Sequence, residues 1–161
     1  MTQENLEPTQ ALGPLHILVV DDDPMALDIL GSHYEKQGCS VTTAEDGTRA
    51  LEVIEAHLPD VILCDRVMPG MSGADLLKTV RERSATDPAC AAWKEIAFIF
   101  VTGLSDRRDK YAMMPLQPDA YLTKPINLAE ADLTIRNVLQ RRGSVAATQW
   151  VRKLLENIRA L

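Results

Sequence analysis

Four apolar residues run directly into three carboxylates and a proline in the segment Ile17-Leu18-Val19-Val20-Asp21-Asp22-Asp23-Pro24. An uninterrupted apolar run is typical of a strand that is buried on both faces of a parallel sheet. Asp23 fits the N-cap of a following helix, and Pro24 fits its first helical position. The segment therefore predicts a strand followed at once by a helix, with Asp21 and Asp22 at the carboxyl end of the strand.

Polar side chains follow three further apolar runs in the same way. Asp65 follows residues 61–64, Thr102 follows residues 99–101, and Lys124 follows residues 120–123. A shorter run covers residues 41–44, and amphipathic segments separate these runs, which is the signature of βαβ units around a parallel sheet. Because ligand sites of such sheets lie at the carboxyl ends of the strands, the polar side chains should meet at one edge.

The amphipathic segments predict the helices. The first helix should end near Gly38 and bury a stripe of five side chains: Met25, Leu27, Ile29, Leu30 and Tyr34. Asp46 should cap the second helix, and Ser72 with Asp75 should form a capping box for the third. Residues 82–95 should form a loop or a short turn of helix around a packed Trp93.

Two helices should follow the Thr102 strand. The first, capped by Ser105 or Asp106, should be short because Pro115 and Pro118 end it. The last core helix should cover residues 128–142. His16, His33 and His57 lack the spacing of metal ligands, so we expect them on the surface or on helix faces.

Composition indicates one globular domain with short extensions. The 161 residues are 46% hydrophobic and 25% charged, which is ordinary for a folded chain. A net charge of −6 argues against direct binding of nucleic acid, whose phosphates require clustered cations. Three scattered cysteines suggest neither a disulfide framework nor a zinc site. No apolar run is long enough to span a membrane, so we expect a cytoplasmic protein.

The domain should cover residues 15–142. Residues 1–14 are polar and predict a flexible leader. Residues 143–161 predict an amphipathic helical extension, with apolar side chains at 4-3-4-3 spacing: Ala147, Val151, Leu154, Ile158 and Leu161. Such an extension fits a cap on the domain, a linker to a further domain, or a seam that forms a homodimer.

The carboxylates at the strand ends indicate a metal and phosphate site. Two carboxylates held ~4 Å apart repel each other by about 4 kcal/mol at an effective dielectric constant near 20. Asp21, Asp22 and Asp65 therefore call for a cation with oxygen ligands, and Mg²⁺ is the natural candidate. The Lys124 amine and the Thr102 hydroxyl could hold phosphoryl oxygens, while a carboxylate could attack phosphorus to form an acyl phosphate.

These motifs resemble those of the receiver domains of two-component response regulators. The resemblance covers about residues 15–142 and rests on four motifs: Val20-Asp21-Asp22-Asp23, Asp65 with Met68-Pro69-Gly70-Met71-Ser72-Gly73, Thr102-Gly103, and Lys124-Pro125. It implies a flavodoxin-like α/β fold, with a doubly wound five-stranded parallel sheet of order 2-1-3-4-5 and five flanking helices. It also implies a cis peptide bond before Pro125.

The resemblance also implies a role for each site residue. Asp65 would be the phospho-acceptor, and Asp21, Asp22, Asp65 and the backbone carbonyl of Val67 would bind Mg²⁺. Thr102 and Lys124 would contact the transferred phosphoryl group. Thr102 and Tyr121 would act as the switch residues.

By the same resemblance, the donor would be a sensor histidine kinase or a phosphotransfer protein, and the output an unidentified downstream protein or output domain. The domain would carry out only its own phosphotransfer and autodephosphorylation, so it would not be an enzyme acting on other substrates. One alternative is a Mg²⁺-dependent phosphatase or phosphotransferase of the haloacid dehalogenase type, which also uses an aspartate nucleophile. A flavin-binding protein of the same fold is a third reading.

Overall fold

The computed structural model describes residues 14–103 and 114–143, together with Trp150, Arg152 and Glu156. Five parallel strands form one sheet in these parts of the chain, in the order β2-β1-β3-β4-β5. The strands are β1 His16–Val20, β2 Ser40–Ala44, β3 Val61–Asp65, β4 Ala97–Thr102 and β5 Ala120–Thr123. The predicted flavodoxin-like strand order is therefore confirmed.

Four α-helices lie in the continuous stretches 14–103 and 114–143. They are α1 Pro24–Lys36, α2 Gly47–Ala56, α3 Gly73–Thr86 and α4 Leu128–Arg141. The short helix predicted after Ser105 or Asp106 falls outside the described residues, as do the predicted leader up to residue 13 and most of the extension. Trp150, Arg152 and Glu156 of the extension are helical. None of the helices in the described parts is long and apolar enough to cross a bilayer.

The helix caps form as the sequence predicts. The Asp23 side chain accepts a hydrogen bond from the Met25 backbone N–H at 3.0 Å, and Asp46 caps α2 in the same manner. Ser72 and Asp75 make the reciprocal bonds of a capping box at the start of α3. These local bonds fix where each helix begins relative to the strand before it.

The core consists of two apolar layers, one on each face of the sheet. Alternate side chains of the strands face α1 and α4 on one side, and α2 and α3 on the other. The strands of the sheet's centre, β1, β3 and β4, are buried along almost their whole length, as expected for a parallel sheet covered on both faces.

The predicted buried stripe of α1 is only partly correct. Leu30 and Tyr34 are buried and Leu27 packs against the core, but Met25 is 70% exposed and Ile29 is 52% exposed. The reason is the helical period of 3.6, which places residues 27, 30 and 34 on one face and residues 25 and 29 on another. Two apolar side chains of α1 therefore face solvent.

The segment after α3 is more regular than predicted. Helix α3 continues to Thr86, and a 3₁₀ helix covers Pro88–Glu95. Trp93 is buried there as expected, with the Arg83 guanidinium 5.7 Å from the centre of its ring. The extra segment thus closes the end of the α2 and α3 layer.

A charged cluster ties the amino-terminal ends of β4 and β5 to two helices. The Asp119 carboxylate accepts hydrogen bonds from the Arg142 guanidinium at 2.9 and 3.1 Å, from Arg81 at 3.2 Å, and from the Phe98 backbone N–H at 2.7 Å. Arg142 also donates to the Lys94 carbonyl. This Asp119 cluster lies at the edge of the sheet opposite to the strand ends that carry Asp65 and Thr102.

The expectation that His16 lies on the surface or on a helix face is wrong. Its side chain is 3% exposed in β1, with Nδ1 3.2 Å from the Leu58 carbonyl and Nε2 2.9 Å from the Thr42 hydroxyl. These partners suit a neutral ring that donates from Nδ1 and accepts at Nε2. Burial lowers the pKa of His16, and the neighbouring His57 lowers it further.

We expect His16 to make the fold less stable in mild acid. Its pKa is lower in the folded state than the unfolded value of about 6.5, so its contribution is complete above that pH and is lost as the pH falls through the folded pKa. The urea midpoint of the wild type should fall more steeply between pH 7 and pH 5 than that of His16→Gln. Equal losses in both proteins would contradict this assignment, because every other titrating group is common to them.

Candidate functional site

The carboxyl ends of four neighbouring strands form the candidate site. Asp21 directly follows β1, Asp65 is the last residue of β3, Thr102 is the last residue of β4, and Lys124 directly follows β5. The strand order places β1, β3, β4 and β5 side by side. The structure therefore brings the predicted polar groups to one edge of the sheet, as the sequence pattern predicts.

Three carboxylates meet at this edge. Asp21, Asp22 and Asp65 each offer one oxygen, and these oxygens all lie within 4.8 Å of one another. Asp21 is buried and Asp22 is exposed, so the cluster opens to solvent on the side of Asp22. We name these three residues the acidic cluster.

Lys124 is the cation of the site. Its Nζ donates a hydrogen bond to Asp21 Oδ2 at 2.8 Å and lies 3.6 Å from Asp65 Oδ2. Burial alone would lower the pKa of Lys124, but the bond to Asp21 and the charge of Asp65 outweigh it and raise the pKa. The amine is therefore held in its charged form between two carboxylates.

Opposing interactions act on the pKa of the Asp65 carboxyl group. Burial raises its pKa, and the charge of Asp21 raises it further, while Lys124 and a hydrogen bond from the Val67 backbone act in the opposite direction. The net effect is a raised pKa. An additional positive charge near the acidic cluster would therefore stabilise the ionised form of Asp65.

The acidic cluster fits a small divalent cation. Two oxygens on opposite sides of an octahedral Mg²⁺ stand ~4.2 Å apart, twice the Mg–O distance of about 2.1 Å. The 4.8 Å limit on the cluster's oxygens is only slightly wider than that span. The donors are all carboxylate oxygens, which hard cations prefer, and Asp21 Oδ1 is already oriented by the Asp23 N–H at 2.9 Å.

Thr102 ends β4, and Tyr121 lies two residues before the end of the neighbouring strand β5. Thr102 is 8% exposed, and its carbonyl accepts a hydrogen bond from the Lys124 N–H at 2.7 Å, which joins the ends of the two strands. The Tyr121 ring stacks on Phe100, with 5.9 Å between ring centres. Tyr121 is partly buried on the sheet face that packs against α2 and α3.

Gly73 shapes the loop under Asp65, and sequence reasoning assigned it no such role. Its N–H donates to the Arg66 carbonyl at 2.9 Å, and a Cβ at this position would overlap the Asp65 carbonyl oxygen. Only glycine allows α3 to begin this close to the end of β3. A glycine one residue after the helix cap was the signal that the sequence offered.

The metal-binding role of the Val67 carbonyl stays a prediction. Val67 is 62% exposed and its backbone contacts Asp65, but whether its carbonyl binds a metal remains an expectation. The structure does contain a cis peptide bond between Lys124 and Pro125, as expected.

Most of this chain matches a known protein family. Residues 17–136 match the response regulator receiver domain family. The TorCAD operon transcriptional regulatory protein TorR of Escherichia coli K12 is 32% identical over 128 residues, which cover 80% of this chain and 51% of that protein. The sensory transduction protein RegX3 of Mycobacterium tuberculosis H37Rv is 34% identical over 127 residues, or 79% of this chain and 52% of its own.

Solved structures agree with the sequence comparison. A putative response regulator from Chloroflexus aurantiacus superposes with a TM-score of 0.69 at 30% identity, covering 79% of this chain and 98% of that one. The chain spans about half the length of the curated relatives that it matches.

Proposed function

Because the chain belongs to the family of response regulator receiver domains, we propose that it is a signalling switch that accepts a phosphoryl group on Asp65 in a Mg²⁺-dependent reaction. The donor would be a phosphohistidine on a sensor histidine kinase or a phosphotransfer protein. The observation that carries the proposal is the acidic cluster, with its oxygens within 4.8 Å of one another and the Lys124 amine beside Asp21 and Asp65.

Each residue of the site has a chemical task in this proposal. Mg²⁺ would be held by Asp21, Asp22, Asp65 and the Val67 carbonyl, and when bound it would offset the negative charge of the phosphoryl oxygens. An Asp65 oxygen forms the new bond to phosphorus, while the bond from phosphorus to the donor histidine nitrogen breaks and its electron pair stays on that nitrogen. Lys124 and Thr102 orient the phosphoryl oxygens.

Phosphorylation would then change the balance between two packings of the domain. The phosphoryl group adds about −1.5 to −2 charges beside Asp21 and Asp22. Thr102 would turn its hydroxyl toward the new oxygens, and Tyr121 would move into the space next to it on the sheet face that it shares with Phe100. Such a change acts as a population shift, and a partner reads it through contacts that differ between the two states.

Helix α1 offers a surface for the phosphohistidine donor. Met25 and Ile29 are exposed and stand one turn apart, at the end of α1 that follows Asp22. Exposed apolar side chains in such an arrangement suit the apolar face of a partner helix. A donor helix lying on these residues would bring its phosphohistidine to the acidic cluster.

The output of the switch is proposed from the relatives. Those named above are called a transcriptional regulatory protein and a sensory transduction protein. We propose that this domain likewise controls a downstream protein or an output domain. The net charge of −6 makes the domain itself a poor ligand for nucleic acid.

Acetyl phosphate, a small acyl phosphate donor, tests the proposed function. The wild-type chain, incubated with acetyl phosphate and Mg²⁺, should gain the mass of one phosphoryl group, and excess EDTA should prevent the gain. Each chain should release phosphate only as fast as Asp65 loses its phosphoryl group. Hydrolysis of many molecules of a small phosphate ester per site would instead support the phosphatase alternative, in which an aspartyl phosphate forms but does not accumulate. No adduct under any condition would contradict the proposal.

A further inference from the structure

A row of aromatic side chains leads across the sheet toward the candidate site. Phe98 and Phe100 lie on the face of β4 that packs against α2 and α3, and both are 0% exposed. Their ring centres are 5.2 Å apart in an edge-to-face arrangement. The Tyr121 ring of β5 stacks on Phe100, with an angle of 22° between the ring planes. We name Phe98, Phe100 and Tyr121 the aromatic row.

Phe100 is fixed in the core, whereas Tyr121 lies at the border of the core. Dense packing holds a fully buried ring such as that of Phe100 in place. Tyr121 is only partly buried. Burial still raises the pKa of Tyr121, as expected for a phenol that borders an apolar layer. Of the two stacked rings, Tyr121 is therefore the one that can move.

The strand register places the stack below the level of Thr102. Phe100 pairs with Tyr121, and Thr102 pairs with Thr123, in the parallel ladder of β4 and β5. Because side chains alternate along a strand, Phe100, Tyr121 and Thr102 share one face of the sheet. Two residues of strand, about 6.6 Å, separate the level of Phe100 from that of Thr102. A Tyr121 ring that moves next to Thr102 therefore loses at least part of its overlap with Phe100.

We propose that Phe100 is a positioning residue of the switch, whose ring stabilises the packing with Tyr121 stacked and so opposes the movement of Tyr121 toward Thr102. The proposal rests on the proposed function and deepens it, because it names a residue that sets the balance between the two packings. Phe100 acts through Tyr121 and not on the reacting atoms. An aromatic pair shifts such an equilibrium by about two- to tenfold. Loss of the Phe100 ring should therefore favour the packing of the phosphorylated state by that factor.

Beryllofluoride, a stable mimic of the phosphoryl group, measures this shift at equilibrium. A ligand that binds a minor packing gains affinity in proportion to the population of that packing. In the presence of Mg²⁺, Phe100→Leu should therefore bind beryllofluoride about two- to tenfold more tightly than the wild type. Phe100→Met, whose flexible side chain fills irregular core space without a ring, should shift the affinity in the same direction. Fluorine NMR of the bound beryllofluoride gives the affinities, and values no tighter than that of the wild type in both variants would overturn the proposal.

Phe98→Leu is the matched control. It removes the same ring from the same strand, the same face and the same depth of the core, but two residues farther from Thr102 than Phe100. It should leave the affinity for beryllofluoride unchanged. An equal gain in affinity in Phe98→Leu and Phe100→Leu would mean that a loosened core causes the gain, and the proposal would be wrong.

A double-mutant cycle tests whether Phe100 acts through Tyr121. Tyr121→Ala removes the other ring of the stack, so Phe100→Leu should no longer change the affinity for beryllofluoride in that background. A gain of the same size with and without the Tyr121 ring would refute the assignment.

The Tyr121 ring itself supplies a spectroscopic readout. With 3-fluorotyrosine in place of tyrosine, the fluorine signal of Tyr121 is the one that Tyr121→Phe removes. Beryllofluoride with Mg²⁺ should shift this signal in the wild type as the ring leaves Phe100, and should shift it less in Phe100→Leu. An unmoved signal in the saturated wild type would overturn the inference alone. If the wild type neither bound beryllofluoride nor gained a phosphoryl group from acetyl phosphate, the proposed function would fail, and this inference with it.

Discussion

The Asp65→Asn variant should gain no phosphoryl group from acetyl phosphate or from a phosphohistidine donor, under conditions in which the wild type gains one. The amide has nearly the shape of the carboxylate but no anionic oxygen to attack phosphorus. Removing a nucleophile typically lowers a rate by at least about 10³-fold. Lys124 keeps its 2.8 Å bond to Asp21, so the variant should stay folded. Intact mass and peptide mapping measure the uptake.

Asp23→Asn is the matched control for this change. Asp23 stands in the same run of carboxylates, but its side chain caps α1 through the Met25 N–H, and asparagine caps a helix as well as aspartate. This variant should be phosphorylated to the wild-type extent. A phosphoryl group on Asp65→Asn would place the acceptor elsewhere, and an equal loss in Asp23→Asn would show that the run of carboxylates acts only through its total charge.

Short-range sequence signals predicted most of the fold. The apolar strand runs, the Asp23 cap and the Ser72 capping box each depend on residues within a few positions of one another, and all appear in the structure. The sequence also predicted that Asp21, Asp65 and the Lys124 amine would lie close together, because the carboxyl ends of parallel strands share one edge of the sheet.

Features that depend on exact geometry were harder to predict. Met25 and Ile29 are apolar, and only the rotation of α1 about its own axis relative to the sheet shows that they face solvent. Gly73 is required because α3 approaches the Asp65 carbonyl; the glycine after the helix cap is visible in the sequence, but the close approach that requires it depends on the fold. The sequence alone did not show whether the Trp150 indole is buried or exposed, because its partner Gln37 lies 113 positions away in the chain.

The Asp119 cluster is the clearest case of a long-range feature that the sequence conceals. Arg81, Asp119 and Arg142 belong to α3, to the residue before β5 and to the end of α4, and nothing in their local surroundings pairs them. All three side chains are at most a quarter exposed. Together they close the edge of the sheet that is remote from Asp65, so they should support the fold and leave the chemistry untouched.

Asp119→Ala should therefore lower the free energy of unfolding by about 3 kcal/mol, because it leaves two partly buried guanidinium groups and the Phe98 N–H without their acceptor. In a chain of this size the melting temperature should fall by roughly 6–12 °C. Urea unfolding and calorimetry measure these changes, and phosphorylation by acetyl phosphate should continue below the new melting temperature.

Glu55→Gln is the control, since it breaks the more exposed pair with Arg83 and should lower the free energy of unfolding by less than about 1 kcal/mol. If both variants lost equal stability, the Asp119 cluster would be no more than a surface ion pair.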